Sequence, residues 1–259
     1  MVKPKKHLGQ HFLTDLSIAE KTARLALLSD VSPILEIGPG KGVLTKFLKQ
    51  LPNKQVNAIE IDNESFVYLL DQNILTPPNL IEGDFLRLNI NQLPFEEFIL
   101  IGNYPYNISS QIVFKMLEFK SKIPLMAGMF QKEVALRIAA PPDNKDYGIL
   151  SVLTQAFYHV KVEFKIGPGA FFPPPKVDSA VITCKRKESF NLDCDEKLFY
   201  DVVKTAFNQR RKTLYNSLGK FNVKDLFIQH PFAKLRPEIL SIEQFVELTQ
   251  FIQGSLKKS

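Results

Sequence analysis

Between residues 34 and 139, short apolar runs alternate with segments of helical period, and this alternation limits the fold more than any other feature of the chain. Residues 34–37, 56–61, 80–81, 98–101 and 125–130 read as strands, the third weakly; 43–50, 64–73, 109–119 and 131–139 read as helices. An opening helix is predicted over 15–28, with Thr14 or Asp15 as N-cap and Ile18, Ala19, Thr22, Ala23 and Ala26 on one face. Strands that alternate with helices imply a parallel sheet covered on both faces.

The rhythm changes near residue 141, where Pro141-Pro142-Asp143-Asn144-Lys145-Asp146 has the composition of a surface loop. A helix near 149–157 follows, then strand-like runs over 160–166 and 177–184, separated by Phe172-Pro173-Pro174-Pro175. After Lys185-Arg186-Lys187 strand signals stop, and from about Asp195 the pattern is helical. The expected boundary lies near residue 187, giving a domain over 1–187 and a helical one over 188–259. A length of 259 residues suits one α/β domain with a smaller partner.

Composition narrows the function classes. Nothing approaches the run of about 18 apolar residues that a membrane span needs. The basic start Met1-Val2-Lys3-Pro4-Lys5-Lys6 is not followed by a signal-type apolar stretch, so a cytoplasmic protein is expected. Cys184 and Cys194 cannot form a disulfide framework and read as free thiols. His7 and His11 are the only close histidine pair, and without a supporting His, Cys or carboxylate cluster no metal site is expected. A net charge of +6 is compatible with a polyanionic partner.

Glu36-Ile37-Gly38-Pro39-Gly40-Lys41-Gly42 lies between the first strand and its helix, at the carboxyl end of the sheet where such folds bind ligands. A dinucleotide fingerprint would need a third glycine at position 43, which is Val43, and Glu36 is a poor neighbour for a pyrophosphate. A glycine loop in acidic company suits a phosphate-free, cationic ligand such as S-adenosylmethionine. Glu60 ends the second strand 22 residues after Gly38, where an acid accepts from ribose hydroxyls. Asp84, after the third strand, can accept from the cofactor's adenine amine.

Gly102-Asn103-Tyr104-Pro105-Tyr106-Asn107 closes the fourth strand. Proline extends the residue before it, so the Asn103 side-chain oxygen and the Tyr104 carbonyl can converge on an exocyclic amine. Two acceptors there orient the amine hydrogens and return lone-pair density to a nitrogen conjugated with a purine. Tyr106 offers a ring for the base to stack on. Arg210-Arg211-Lys212 is placed at the opening or cap of a helix and, with Lys185-Arg186-Lys187, the N-terminal lysines and Lys220, suits phosphate contact. Arg236 and Glu238 read as an ion pair.

The chain resembles the small-subunit ribosomal RNA adenine dimethyltransferases, the KsgA family, which is related to the Erm methyltransferases. The likeness rests on residues 6–13 (Lys-His-Leu-Gly-Gln-His-Phe-Leu), the glycine loop, Glu60, Asp84, residues 103–109, 131–135, 147–152 and 171–181, and Phe207-Asn208-Gln209-Arg210-Arg211-Lys212-Thr213-Leu214. It implies an α/β fold: a Rossmann-like, seven-stranded SAM-dependent methyltransferase sheet with a small all-helical C-terminal domain that binds RNA. It implies two methyl transfers to each of two adjacent adenines in a loop near the 3′ end of 16S rRNA, by a monomer that acts on the assembling small subunit. His11 and Leu13 would contact the cofactor from the N-terminal segment, Gly38 its methionine part, Glu60 the ribose, Asp84 the adenine and Asn103 the reacting centre, while Phe171 would help hold the target adenine. Family members often carry Asn at position 11 and Leu or Ile at 104; Tyr104 is expected to contribute mainly its carbonyl. Competing readings are Erm-type methylation of large-subunit rRNA, a non-catalytic ribosome-assembly factor and a DNA adenine methyltransferase.

Overall fold

The computed structural model describes residues 2–256; Met1 of the basic start and 257–259 of the expected C-terminal domain lie outside it. Along the chain run β1 (Phe12–Leu13), α1 (Leu16–Arg24), β2 (Pro33–Ile37), α2 (Val43–Leu48), β3 (Gln55–Glu60), α3 (Asn63–Asp71), β4 (Leu80–Glu82), β5 (Ile99–Asn103), α4 (Ser109–Glu118), β6 (Leu125–Gln131), α5 (Lys132–Ala139), α6 (Ile149–Phe157), β7 (Tyr158–Ile166), β8 (Phe171–Phe172), β9 (Ser179–Arg186), α7 (Glu196–Asn208), α8 (Leu214–Ser217), α9 (Lys224–Phe227) and α10 (Ile242–Leu256).

Two compact units form among the described residues: 2–135 with His159–Arg186, and Leu136–Tyr158 with 187–256. The sequence suggests one boundary near 187; the structure differs in grouping Leu136–Tyr158 with the C-terminal helices. The cause is packing. Helix α6 buries Leu150, Val152, Leu153, Ala156 and Phe157, and both α7 and α10 lie against it.

In the first unit seven strands order as β4-β3-β2-β5-β6-β9-β7. Strands β4, β3, β2, β5 and β6 are mutually parallel, and β9 runs antiparallel to β6, Leu125 facing Lys185 and Gln131 facing Ser179. No crossover helix precedes β9, so the parallel rule from the sequence does not reach it. β2, β5 and β6 are apolar apart from Glu36, Asn103 and Gln131 at or next to their carboxyl ends, because both faces are covered. Asp15 caps α1 by accepting from the Ser17 and Ile18 N–H groups at 2.9 and 3.1 Å. Beyond Arg24 the predicted helix tightens into a 3-10 turn over Leu25–Leu28. A separate two-residue ladder pairs Phe12 with Phe172 and Leu13 with Phe171.

In the second unit α7 turns Phe199, Val202, Val203, Ala206 and Phe207 inward. Phe207 stacks on Phe245 of α10 at 5.8 Å and meets Tyr147 edge-on at 6.0 Å. The Tyr147 hydroxyl donates to the Leu240 carbonyl at 2.9 Å, which satisfies its one buried polar atom. Among the described residues no helix is long and apolar enough to cross a membrane. Both cysteines are free thiols.

Candidate functional site

The site is built where β2, β3, β4 and β5 end. After β2 the chain turns through Gly38, Gly40 and Gly42, all left-handed at φ 64°, 56° and 73°. A Cβ on Gly40 would stand 2.9 Å from the Phe12 ring, so alanine is excluded twice there, by strain and by space. A Cβ on Gly38 would meet nothing within 4 Å; it borders a cleft of about 670 Å3, open mouth included.

Glu60 is 2 % exposed at the end of β3. Its Oε2 accepts from the Gly40 N–H at 3.0 Å and its Oε1 from the Asp62 N–H at 2.8 Å. Burial raises its pKa, and the two backbone donors oppose that rise. The carboxylate therefore clamps the glycine loop as well as lining the cleft. Asp84 also lines it, its Oδ1 accepting from the Leu86 N–H at 2.8 Å. Glu36 differs from the other two acids. It is 1 % exposed, takes a 2.6 Å bond from the Thr45 hydroxyl, and burial pushes its pKa up to about 8. It lies beside a smaller adjoining pocket rather than the main cleft.

Asn103 closes β5. Its Nδ2 donates to the His11 carbonyl at 2.7 Å, and its Oδ1 is buried with no hydrogen-bond partner among the described residues. An unpaired buried carbonyl oxygen costs about 1–3 kcal/mol, which makes this atom a candidate acceptor for a ligand donor. The Tyr104 side chain runs the other way. Its hydroxyl donates to the Ala127 carbonyl at 2.9 Å, and its ring packs on Phe130 at 4.8 Å. Gly128 makes that room, since a Cβ there would lie 2.6 Å from the Tyr104 ring. Pro105 accepts from the Ile108 N–H at 3.2 Å and closes the turn into α4. The Tyr106 ring stacks on His11 at 5.3 Å, and its hydroxyl is hydrogen-bonded to Ser179.

A second cavity, about 1050 Å3 with its open mouth, is lined by Gln131, Pro173, Pro174, Pro175 and Val177, with Lys6 and Lys176 at its edge. The two cavities share Gly9, Gln10, His11 and Tyr106. The two cavities therefore adjoin at His11 and Tyr106.

The structure brings His11, Gly38, Glu60, Asp84, Asn103, Tyr104, Pro105 and Tyr106 around one cleft. Leu13 is buried in the core and reaches only the smaller pocket, beside Glu36, Gly38 and Asn103. Phe171, expected to hold the target adenine, is 3 % exposed and packs in the core against β1, whereas Phe172 is 59 % exposed. Arg210, Arg211 and Lys212 sit in the second unit, in the turn between α7 and α8 and not on a helix. There the Arg210 guanidinium donates to the Asn144 carbonyl at 3.2 Å and stands 3.9 Å from Glu238. Glu238 thus faces Arg210 and not Arg236. The sequence reading missed Ile61, 51 % exposed beside Glu60, and Phe85 after Asp84, both on the cleft wall; an apolar residue just beyond a strand-end acid was the available signal.

No Lys or Arg is among the residues lining the main cleft. It offers carboxylates, apolar walls and a glycine edge, a set that fits a phosphate-free nucleoside carrying positive charge. Among the described residues no group of three or more His, Cys, Asp and Glu could hold a metal ion.

The chain matches the ribosomal RNA adenine dimethylase family over residues 1–253. It is 52 % identical, over 99 % of its length and 92 % of the relative's, to the ribosomal RNA small subunit methyltransferase A of Phocaeicola vulgatus. Among solved structures it is similar to a dimethyladenosine transferase from Plasmodium falciparum, with TM-score 0.80, 25 % identity and coverage of 94 % and 98 % of the two chains. It is also similar to the 23S rRNA methyltransferase ErmE, with TM-score 0.66, 27 % identity and coverage of 92 % and 99 %. On the family match and the near-complete coverage of the Phocaeicola relative, this chain belongs to the ribosomal RNA adenine dimethylase family.

Proposed function

We propose that this enzyme transfers methyl groups from S-adenosylmethionine to the N6 amines of two adjacent adenines in a loop near the 3′ end of 16S rRNA, giving N6,N6-dimethyladenosines. The observation that carries the reading is the buried, unpartnered Asn103 Oδ1 beside the main cleft, on a side chain bonded to the backbone of His11, which both cavities share. An amine N–H of the target base supplies its missing bond.

The main cleft takes the cofactor. Glu60 accepts from the ribose hydroxyls, Asp84 from the adenine amine, and Gly38 leaves room for the methionine part. The segment through His11 and Leu13 closes the cleft from above. When bound, the cofactor supplies an electrophilic methyl group on a sulfonium and leaves as a neutral thioether. The chain's own work is alignment, which is worth up to about 7–11 kcal/mol. Asn103 Oδ1 and the Tyr104 carbonyl hold the amine, Pro105 sets the turn that aims them, and Tyr106 offers the stacking face that His11 leaves uncovered. The target base enters through the second cavity, unstacked from its neighbours. Loop adenines suit this, because single-stranded bases cost little to extrude.

Arg211 and Lys212 in the second unit are exposed and contact RNA phosphates; Arg210 contributes less, because Asn144 and Glu238 already engage it. In this reading the enzyme acts as a monomer. A ribosomal RNA substrate in a bacterial relative's name supports a cytoplasmic enzyme working on the assembling small subunit.

The test offers tritiated S-adenosylmethionine with small subunits, large subunits and DNA in parallel. Label is expected in small subunits, as dimethyladenosine. Label confined to large subunits or DNA rejects the reading, and binding to small subunits with no transfer would indicate a non-catalytic assembly factor.

A further inference from the structure

We propose that Lys115 is a positioning residue for cofactor recognition: it fixes, from behind the cleft wall, the turn that aims Asp84 at the cofactor's adenine amine. This rests on the functional reading above, in which Asp84 takes that amine, and adds a residue that does not itself line the cleft.

The argument starts from a lysine in an apolar place. Lys115 is 8 % exposed on α4, where Ile112, Val113, Met116 and Leu117 are buried with it. A lysine there gives up hydration that an apolar side chain would never have needed. Burial lowers its pKa, and Glu118 and Asp84 are the acids that oppose the fall. The compensation is local. Nζ donates to the Leu86 carbonyl at 2.9 Å and to the Leu88 carbonyl at 2.6 Å, and lies 5.2 Å from the centre of the Phe85 ring. All three partners fall within the five residues that begin at Asp84.

Those five residues form one tight turn. The Arg87 and Leu88 N–H groups both donate to the Asp84 carbonyl at 3.0 Å. At the N–H end Asp84 Oδ1 accepts from Leu86 at 2.8 Å; at the carbonyl end Lys115 supplies the donors. A cation suits that end, where carbonyls collect without backbone partners. With Oδ1 engaged, Oδ2 is the oxygen left for a ligand, and the turn sets its direction. Other restraints on it are slight. The chain enters through Gly83 at φ 154°, with no side chain to limit the backbone. Arg87 comes only within 3.7 Å of Oδ2 and is exposed, so its pull is weak.

An apolar residue at 115 would fill the same space and leave the Leu86 and Leu88 carbonyls without this donor. The effect of losing Lys115 is therefore confined to one part of the cofactor. Asp84 and Phe85 wall the cleft on the adenine side. Glu60, on the ribose side, is held by the Gly40 and Asp62 N–H groups, and no bond of Lys115 reaches it.

The test measures, by calorimetry, binding of three ligands to wild type and to Lys115→Met: S-adenosylhomocysteine, its analogue with unsubstituted purine in place of adenine, and its 2′-deoxy analogue. Wild type should prefer adenine to purine by roughly ten- to hundredfold, the scale of one hydrogen bond to a charged acceptor. Lys115→Met should lose most of that preference while keeping the wild-type preference for the ribose 2′-hydroxyl. A general loosening of the fold would lower both preferences together. Lys115→Gln keeps a donor but is too short to serve both carbonyls; it should show the same pattern in smaller measure, and it carries the test if the methionine variant does not fold. A folded variant that keeps the full adenine preference, or one that loses both preferences alike, overturns the role of Lys115 alone. Wild type with no preference for adenine over purine removes Asp84 as the adenine acceptor and this proposal with it. Wild type that binds none of the three ligands overturns the functional reading itself.

Discussion

Glu36→Gln tests whether the first of the three strand-end acids is an ionised ligand or a neutral part of the core. Glu36 is 1 % exposed and bonded to the Thr45 hydroxyl at 2.6 Å, and burial, with Glu60 adding a smaller push, raises its pKa from 4.5 to about 8. At neutral pH it is protonated. The unfolded chain ionises this group at its ordinary value, so this group's contribution to folding stability is full below about pH 4.5, declines as pH rises towards 8, and levels off above. A gap of about three and a half pH units, at about 1.4 kcal/mol each, caps the loss near 5 kcal/mol. Glutamine keeps the shape and the Thr45 bond but has no proton to lose. Urea unfolding at pH 5, 7 and 9 should show the variant close to wild type at pH 5 and more stable at pH 9, its pH slope shallower by up to that amount. Parallel slopes for the two proteins would show that Glu36 is ionised in the folded state and that the burial argument is wrong.

Asn103→Ala removes the amine acceptor, so methyl transfer should fall by at least ~100-fold, the scale of one lost transition-state contact, while calorimetry still detects cofactor binding; near-normal turnover would remove Asn103 from the mechanism. Gly128→Ala puts a Cβ 2.2 Å from the Gly102 carbonyl oxygen and 2.6 Å from the Tyr104 ring, at φ 150°. Overpacking and backbone strain together should cost about 2–5 kcal/mol in urea unfolding, and a loss below about 1 kcal/mol would mean β6 shifts freely. Replacing Arg211 and Lys212 together by Gln should flatten the salt dependence of RNA binding by about 0.7–0.9 in slope per lost contact, with the melting temperature unmoved. An unchanged slope would make the run a solvated turn.

The sheet was readable because β2, β5 and β6 are mainly apolar runs of ordinary length and the acids fall where β2, β3 and β4 stop. Asp15 and Asp195 signalled the starts of α1 and α7 through the N–H groups they cap. Other features had no local signal. The β1–β8 ladder is two residues long, too short for any alternation to show. Adjacent strand residues face opposite sides, so a Phe171-Phe172 pair does not reveal which ring is outward until the register is known. Spacing suggested Arg236 for Glu238, but the turn after α7 brings Arg210 there instead. Tyr104 could be buried only because Gly128, on the neighbouring strand β6, lacks a side chain, a pairing that depends on the Asn103–Met129 and Gly102–Gly128 register. Helix α6 precedes β7 in the chain, yet its partners α7 and α10 follow β9, so a boundary drawn along the sequence passes it by.

What separates the cleft from the rest of the first unit is a concentration of locally unfavourable choices. Glu60 holds a buried carboxylate, three glycines within five residues adopt left-handed backbone, and Asn103 leaves a buried oxygen unpaired. Elsewhere the strands are apolar, the cap of α1 is satisfied and the core is continuous. Where local rules fail together and nothing nearby compensates, the missing partner is a ligand. The failures divide by cavity wall. Glu60 and the glycine loop line the main cleft; Asn103 lines it too, and its Nδ2 holds the strand segment whose next residue, Phe12, pairs with Phe172 beside the proline run of the second cavity. Donor and acceptor sites are therefore linked through one side chain, so ligand binding on either side should stiffen the other.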